Sequence, residues 1–253
     1  MKPLILITND DGVTSRGLQH LTHIAQEYGE VVVMAPDHNA SGVSTSITCT
    51  RPLRVNTVSQ SEGVSIYSCD GTPADCVKMG LEHFCPRQPD LVLSGINYGS
   101  NASINIIYSG TIGAVLEACL NGCQAIGFSL LNHNPAADFD ACTHTIRHIL
   151  EHVLANPLPD FTALNVNIPR LPAEQIKGIR VCRQARAAWK DGLEKRTDPI
   201  GRPYWWMTGK FVCENPPIDS DEHLLAEGYV TVVPIRPDLT ALHHLETIKS
   251  IEI

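Results

Sequence analysis

Apolar positions change period along the chain so that strand-like and helix-like stretches alternate. Residues 3–8 are short and almost continuously apolar, and they stop at the polar turn Asn9-Asp10-Asp11-Gly12, the pattern of a strand buried on both faces. Leu18, Leu21, Ile24, Ala25 and Tyr28 then recur at helical spacing with Gly29 as the predicted stop, and residues 30–35 form a second strand, completing a βαβ unit. Thr72 as N-cap and Pro73 in the first turn open the next helix. A strand over 90–94 and a loop over 95–108 follow. Ser109 or Thr111 caps a helix that carries Ile112, Val115, Leu116 and Cys119 on one face and closes at Gly122. Strands over 125–130 and 161–168 flank an amphipathic helix over 139–154. Such alternation predicts an α/β fold of three layers, a mostly parallel sheet covered by helices on both faces.

Past Gly178 the helical period fades, and residues 180–217 are rich in Arg, Lys, Trp, Pro and Gly, with Tyr204, Trp205 and Trp206 clustered on a predicted hairpin strand. The expected organisation is one domain over 1–253: a core of about 1–177, a projecting β-rich arm of about 178–235, and a C-terminal return over 236–253. Adjacent aromatics on an arm find burial either in the chain's own core or in another subunit.

With 253 residues and 43% apolar content the chain can fill a core. A net charge of −8 without a basic run opposes a polyanion, so no DNA partner is expected. The first apolar stretch breaks at Asn9, too early for a leader or a membrane helix, and nothing downstream spans a bilayer. Nine cysteines without a Cys-x-x-Cys pair read as reduced thiols, so a cytoplasmic location is expected. Neither Gly-x-Gly-x-x-Gly after the first strand nor Gly-x-x-x-x-Gly-Lys occurs, and Gly-x-Ser-x-Gly is also missing. Dinucleotide, P-loop and serine-hydrolase readings therefore lose their anchors.

What remains is chemistry at strand ends. Neighbouring side chains on a strand point to opposite faces, so Asp10 and Asp11 converge on one ion only where the strand has turned, and Gly12 permits the turn. Paired carboxylates suit a hard cation such as Mg²⁺, Mn²⁺ or Ca²⁺. Taken alone, Asp-Asp-Gly is more often a helix cap. Three further polar, Gly-rich loops (39–46, 94–101, 109–111) end predicted strands or open helices, and in a parallel sheet the C-terminal strand ends share one edge, where ligands bind. Ser41 and Asn97 offer neutral oxygens for the cation. Ser109, Gly110 and Thr111 present hydroxyls and N–H groups at a helix start, either an anion seat or an ordinary cap. Asn101 is a further donor to phosphate or a brace for its own loop, and Asn9 joins it as a predicted substrate contact.

Together the motifs Asn9-Asp10-Asp11-Gly12, Ala35-Pro36-Asp37 with Asn39 and Ser41-Gly42, Gly71-Thr72-Pro73-Ala74-Asp75-Cys76, Ser94-Gly95-Ile96-Asn97 with Gly99 and Asn101, and Tyr108-Ser109-Gly110-Thr111 resemble the SurE family of metal-dependent 5′-nucleotidases. The resemblance implies a Rossmann-like core and one divalent cation on Asp10, Asp11, Ser41 and Asn97. It also implies release of phosphate from nucleoside monophosphates and a homodimer or homotetramer joined through the C-terminal arm. Exopolyphosphatase or broad 3′/5′-nucleotide phosphatase activity is the enzymatic alternative, and a nucleotide-sensing module the non-enzymatic one. Ala40 and the stretch Thr14-Ser15-Arg16 depart from the family pattern without touching the four oxygen donors, and residues 190–213 match it least.

Overall fold

The structure, a computed structural model, describes residues 2–134 and 136–252. Its centre is a nine-stranded sheet built from β1 (Leu4–Thr8), β2 (Glu30–Pro36), β3 (Val55–Ser61), β4 (Val64–Cys69), β5 (Leu91–Tyr98), β6 (Ala125–Leu130), β7 (Ala163–Ile168), β8 (Ile179–Val181) and β11 (Val230–Ile235). The order across it is β3-β4-β2-β1-β5-β6-β7-β11-β8, parallel except where β3 meets β4 and β11 meets β7. Every residue of β1, β6 and β7 is buried, which explains why their sequences read as unbroken apolar runs rather than alternating ones.

Helices cover both faces, as expected. Ile5 and Ile7 pack with Leu18, Leu21 and Ile24 of α1 (Arg16–Ala25) and with Ile146, Ile149 and Leu150 of α4 (Asp140–Ala155). Leu4 and Leu6 face the other way, toward Cys76 and Val77 of α2 (Pro73–Met79) and Ile112, Val115 and Ala118 of α3 (Gly110–Leu120). The predicted Thr72 cap is a full capping box: its hydroxyl accepts from the Asp75 N–H, and the Asp75 carboxylate accepts from the Thr72 N–H. Gly122, at φ +73°, closes α3 with paired bonds from the Gly122 N–H to Cys119 O and from the Cys123 N–H to Ala118 O.

Other local expectations change. Helix α1 ends at Ala25 with Gln26 as its C-cap, so Tyr28 lies beyond it. Gly29 is not a left-handed cap; a Cβ there would collide with the Pro3 carbonyl oxygen, so glycine is needed where the chain passes β1. The stretch expected as a loop over 95–108 is part strand, since β5 runs on through Tyr98, and part 3₁₀ turn over Ser103–Ile107. The hairpin β3–β4 was not expected, because an exposed edge strand such as Val-Asn-Thr-Val-Ser-Gln-Ser has no apolar face to betray it.

The projecting part is narrower than 178–235. β8 and β11 belong to the central sheet because their apolar residues finish its far side, with Val230, Val232 and Val233 buried. Only β9 (Ala188–Thr197) and β10 (Pro203–Val212) stand apart, as a two-stranded antiparallel hairpin. Trp205 and Trp206 are 53% and 57% exposed on it, so this chain does not bury them itself. No described helix is long and apolar enough to cross a membrane, and all nine cysteines are free thiols.

A candidate active site at the carboxyl ends of the strands

Strand β1 delivers its last residue, Thr8, to the sheet edge, and the chain turns through Asn9. That side chain is fully buried and fully used: Nδ2 donates to Gly12 O and to Ser15 Oγ, and Oδ1 accepts the Gly12 N–H. Asn9, expected to touch substrate, instead holds the turn in shape. Gly12, at φ +101°, completes the turn, and Ser15 begins α1 as its N-cap.

Asp10 points across the edge to the start of α3. Its Oδ1 accepts the Thr111 hydroxyl at 2.7 Å, and the main-chain N–H groups of Gly110 and Thr111 also bond to the carboxylate. A Cβ on Gly110 would lie 2.8 Å from the Asp10 Cβ, so glycine is what allows this approach. The anion seat predicted at residues 109–111 is thus taken largely by Asp10, and the Thr111 hydroxyl serves that carboxylate rather than a phosphate. Ser109 caps α3 by accepting the Ile112 N–H at 3.1 Å, which leaves its own hydroxyl proton to donate elsewhere.

Asp11 receives the Tyr98 N–H at the end of β5, yet its Oδ2 is buried with no partner. Beside it Asn97 donates Nδ2 to Gly99 O at 2.9 Å and keeps its oxygen. The pairing of β5 with β6 shifts register between Ser94 and Asn97, a bulge built on Gly95 that re-aims the end of the strand. The loop bearing Ser41 closes the group: the Ala40 N–H bonds to Asp10 O at 2.7 Å, and the Ser44 hydroxyl donates to Ile107 O at 2.6 Å. Ser41 itself is exposed, with its N–H on Asn39 Oδ1. Four loops that are remote in sequence therefore meet at one edge.

Asn101 is gripped from below. Its Nδ2 donates to Ser129 Oγ, its N–H to Asn167 Oδ1, and its carbonyl accepts from Asn165 Nδ2, while Asn167 Nδ2 bonds to Asn165 Oδ1. All four residues are buried, so both earlier readings of Asn101 meet here: it braces its loop, and one amide proton and its Oδ1 stay outside these bonds. Ser129, Asn165 and Asn167 were missed. The signal was visible as polar residues inside the all-buried strands β6 and β7, which only a satisfied network tolerates.

Electrostatically the site is strained by like charge. Burial, opposed by hydrogen bonds from Thr111 and the main chain, raises the Asp10 carboxyl above its ordinary value. Burial and the neighbouring Asp10 push Asp11 from 3.8 up to about 7. The folded state thus holds this proton more tightly than the unfolded chain does. The resulting stabilisation is complete below 3.8 and is lost as pH rises through about 7. In chelator, the unfolding midpoint of Asp11→Asn should therefore climb relative to the parent chain as pH rises across this window. A difference that stays flat with pH would sink the assignment.

Residues 5–191 match the family model described as survival protein SurE. The chain belongs to the SurE family. It is 50% identical over 251 residues to the protein named 5′-nucleotidase SurE of Christiangramia forsetii, covering 98% of this chain and 96% of that one. The protein of the same name from Bacteroides fragilis is 41% identical, covering 100% and 98%. A solved structure titled as the SurE protein from Aquifex aeolicus superposes with a TM-score of 0.86 at 38% identity, covering 99% and 100%. The SurE-matched stretch contains all four strand-end loops and ends within β9.

Among the described residues no three His, Cys, Asp or Glu side chains surround a common ion position. A cation at this SurE site would therefore rest on two carboxylates and neutral oxygens, and the donors fit one: Asp11 Oδ2 is buried without a partner, and two adjacent carboxylates are held against their mutual repulsion.

Proposed function

We propose that the chain is a phosphoric monoester hydrolase, a 5′-nucleotidase that releases phosphate from nucleoside monophosphates with one divalent cation, Mg²⁺, Mn²⁺ or Ca²⁺, on Asp10, Asp11, Ser41 and Asn97. One observation carries the reading: a buried, unpartnered carboxylate oxygen on Asp11 beside a second buried carboxylate, where four polar loops meet at the edge of a parallel sheet. The name 5′-nucleotidase SurE borne by relatives aligned over nearly their whole length supports it.

When bound, the cation supplies positive charge that polarises a phosphate oxygen and acidifies water. The chain's own residues do the rest. Asp10, fixed by Thr111 and by the start of α3, is the rigid donor. Asp11, with an uncommitted oxygen, accepts the proton of the attacking water. The Ser109 hydroxyl and Asn101, on a loop locked to β6 and β7, hold the phosphate oxygens that Asp10 and Asp11 repel. Charge stabilisation and alignment of this kind supply most of what phosphoryl transfer needs. The exposed hairpin β9–β10, with Trp205 and Trp206 outward, docks against a second copy in a homodimer or homotetramer.

The test is a substrate panel of AMP, GMP, 3′-nucleotides and short polyphosphate, each with and without chelator. Expected is release of phosphate from the 5′-monophosphates, fastest with added Mn²⁺ or Mg²⁺ and abolished by chelation. Polyphosphate as the better substrate would move the assignment to an exopolyphosphatase. Tight nucleotide binding with no phosphate released would make the chain a sensing module.

A further inference from the structure

The hairpin arm and the substrate loop are joined by a buried carboxylate outside the site. Asp221 opens α5 (Asp221–Ala226) and is fully buried. Its Oδ2 accepts the Ser103 N–H, and its Oδ1 accepts the N–H groups of Ala185 and Glu222, all at 2.8 Å. Ser103 lies in the segment between Asn101 and Ser109, whereas Ala185 lies at the root of β9. The same two segments bond directly: Ser103 Oγ donates to Ala185 O at 3.0 Å, and Gln184 Nε2 donates to Ser103 O at 2.8 Å. On the arm itself Trp189 Nε1 donates to Asn105 Oδ1 at 2.8 Å.

Among the described residues no cationic side chain pairs with Asp221, so its charge rests on main-chain donors alone. Removing that acceptor leaves two buried N–H groups, on two different segments, without a partner, and each such orphan costs about 1–3 kcal/mol. The loop is held at Asn101 by β6 and β7, at Ile107 by Ser44, at Ser109 on α3, and at Ser103 by Asp221. The arm and its root reach it at Ser103 and, through Trp189, at Asn105.

We propose that Asp221 is a positioning residue that couples the seat of the hairpin arm to the substrate loop, so that a shift of the arm's root carries Ser103 with it and displaces Asn101 and Ser109. The effect on turnover rests on the nucleotidase reading of the site. The mechanical coupling does not.

The experiment uses the full chain, with Asp221→Asn and, as a surface change that does not touch the core, Trp189→Phe. The readouts are kcat and KM for AMP with Mn²⁺, Mn²⁺ affinity by calorimetry, and amide exchange over residues 101–108. Asp221→Asn should raise KM by about tenfold or more, since misplacement of substrate-holding groups by about an ångström is enough for that. Trp189→Phe should raise it several-fold. Mn²⁺ affinity should hold within about twofold, because Asp10 and Asp11 lie on other segments, and exchange should quicken over 101–108 but not in β1 or β2. A general structural weakening would move all three readouts together, and that result overturns the proposal, as does an unchanged KM. If Asp221→Asn does not fold, Trp189→Phe decides by the same readouts. If the parent chain releases no phosphate, the nucleotidase reading fails, and the exchange rates over 101–108 still decide the coupling.

Discussion

Replacing Asp11 by Asn should lower kcat/KM for a nucleoside monophosphate by on the order of 10³-fold or more while leaving the chain folded. The two halves of that expectation have separate causes. The carboxylate loses its charge at a buried oxygen that lacks a partner, so both the pull on a cation and the acceptor for a proton disappear. The fold, by contrast, loses a liability: burial and Asp10 already push this group up to about 7, so a neutral side chain there relieves repulsion in the metal-free state. Asp10→Asn should be comparably inactive but slightly less stable, because one of its polar atoms becomes a donor facing the N–H groups of Gly110 and Thr111. Added Mn²⁺ should raise the unfolding midpoint of the parent chain and of neither variant. Metal-stimulated phosphate release close to the parent's in either variant would refute the assignment.

The Asp10-Asp11 turn was legible in the sequence because a continuously apolar strand followed at once by Asn-Asp-Asp-Gly puts carboxylates at the edge of a parallel sheet, whatever the rest of the chain does. Its partners were not. Thr111 lies 101 residues further on, and nothing local to Ser-Gly-Thr says whether its hydroxyl faces a phosphate or a carboxylate. The buried asparagines of β7 sit among residues whose pattern states only that the strand is inside, and their work for Asn101 depends on how two remote segments are registered. The arm was overdrawn for a similar reason: short strands that complete a sheet through distant pairing have the same composition as strands that leave it, and only the register of β11 on β7 separates them. Gly29 shows the limit at single residues, since a glycine after a helix reads as a cap although here it is required by close passage to Pro3.

The largest loss of stability is expected at Gly95, where the sheet and the site share one residue. Its φ of +128° belongs to backbone that L side chains avoid, and a Cβ would collide with the carbonyl oxygen of Phe128 in the neighbouring strand and approach the Asn97 N–H nitrogen to 3.1 Å. Neither neighbour is a flexible side chain that can swing away; both are main chain of the central sheet. Strain from the dihedral and from overpacking each run at about 1–3 kcal/mol, so Gly95→Ala should lose about 3 kcal/mol or more, a large part of a typical domain's stability. Gly63 supplies the control. It too has a positive φ, +79°, but a Cβ there meets nothing within 4 Å, so Gly63→Ala carries the dihedral strain alone. Urea unfolding of the two variants should separate them by about 2 kcal/mol. Activity should separate them further, since the bulge at Gly95 sets both Asn97 and the Tyr98 N–H that holds Asp11, whereas the Gly63 turn lies between β3 and β4, outside the loops that meet at the site. If Gly95→Ala proves no less stable and no less active than Gly63→Ala, the bulge is not what aims the end of β5 at the aspartates.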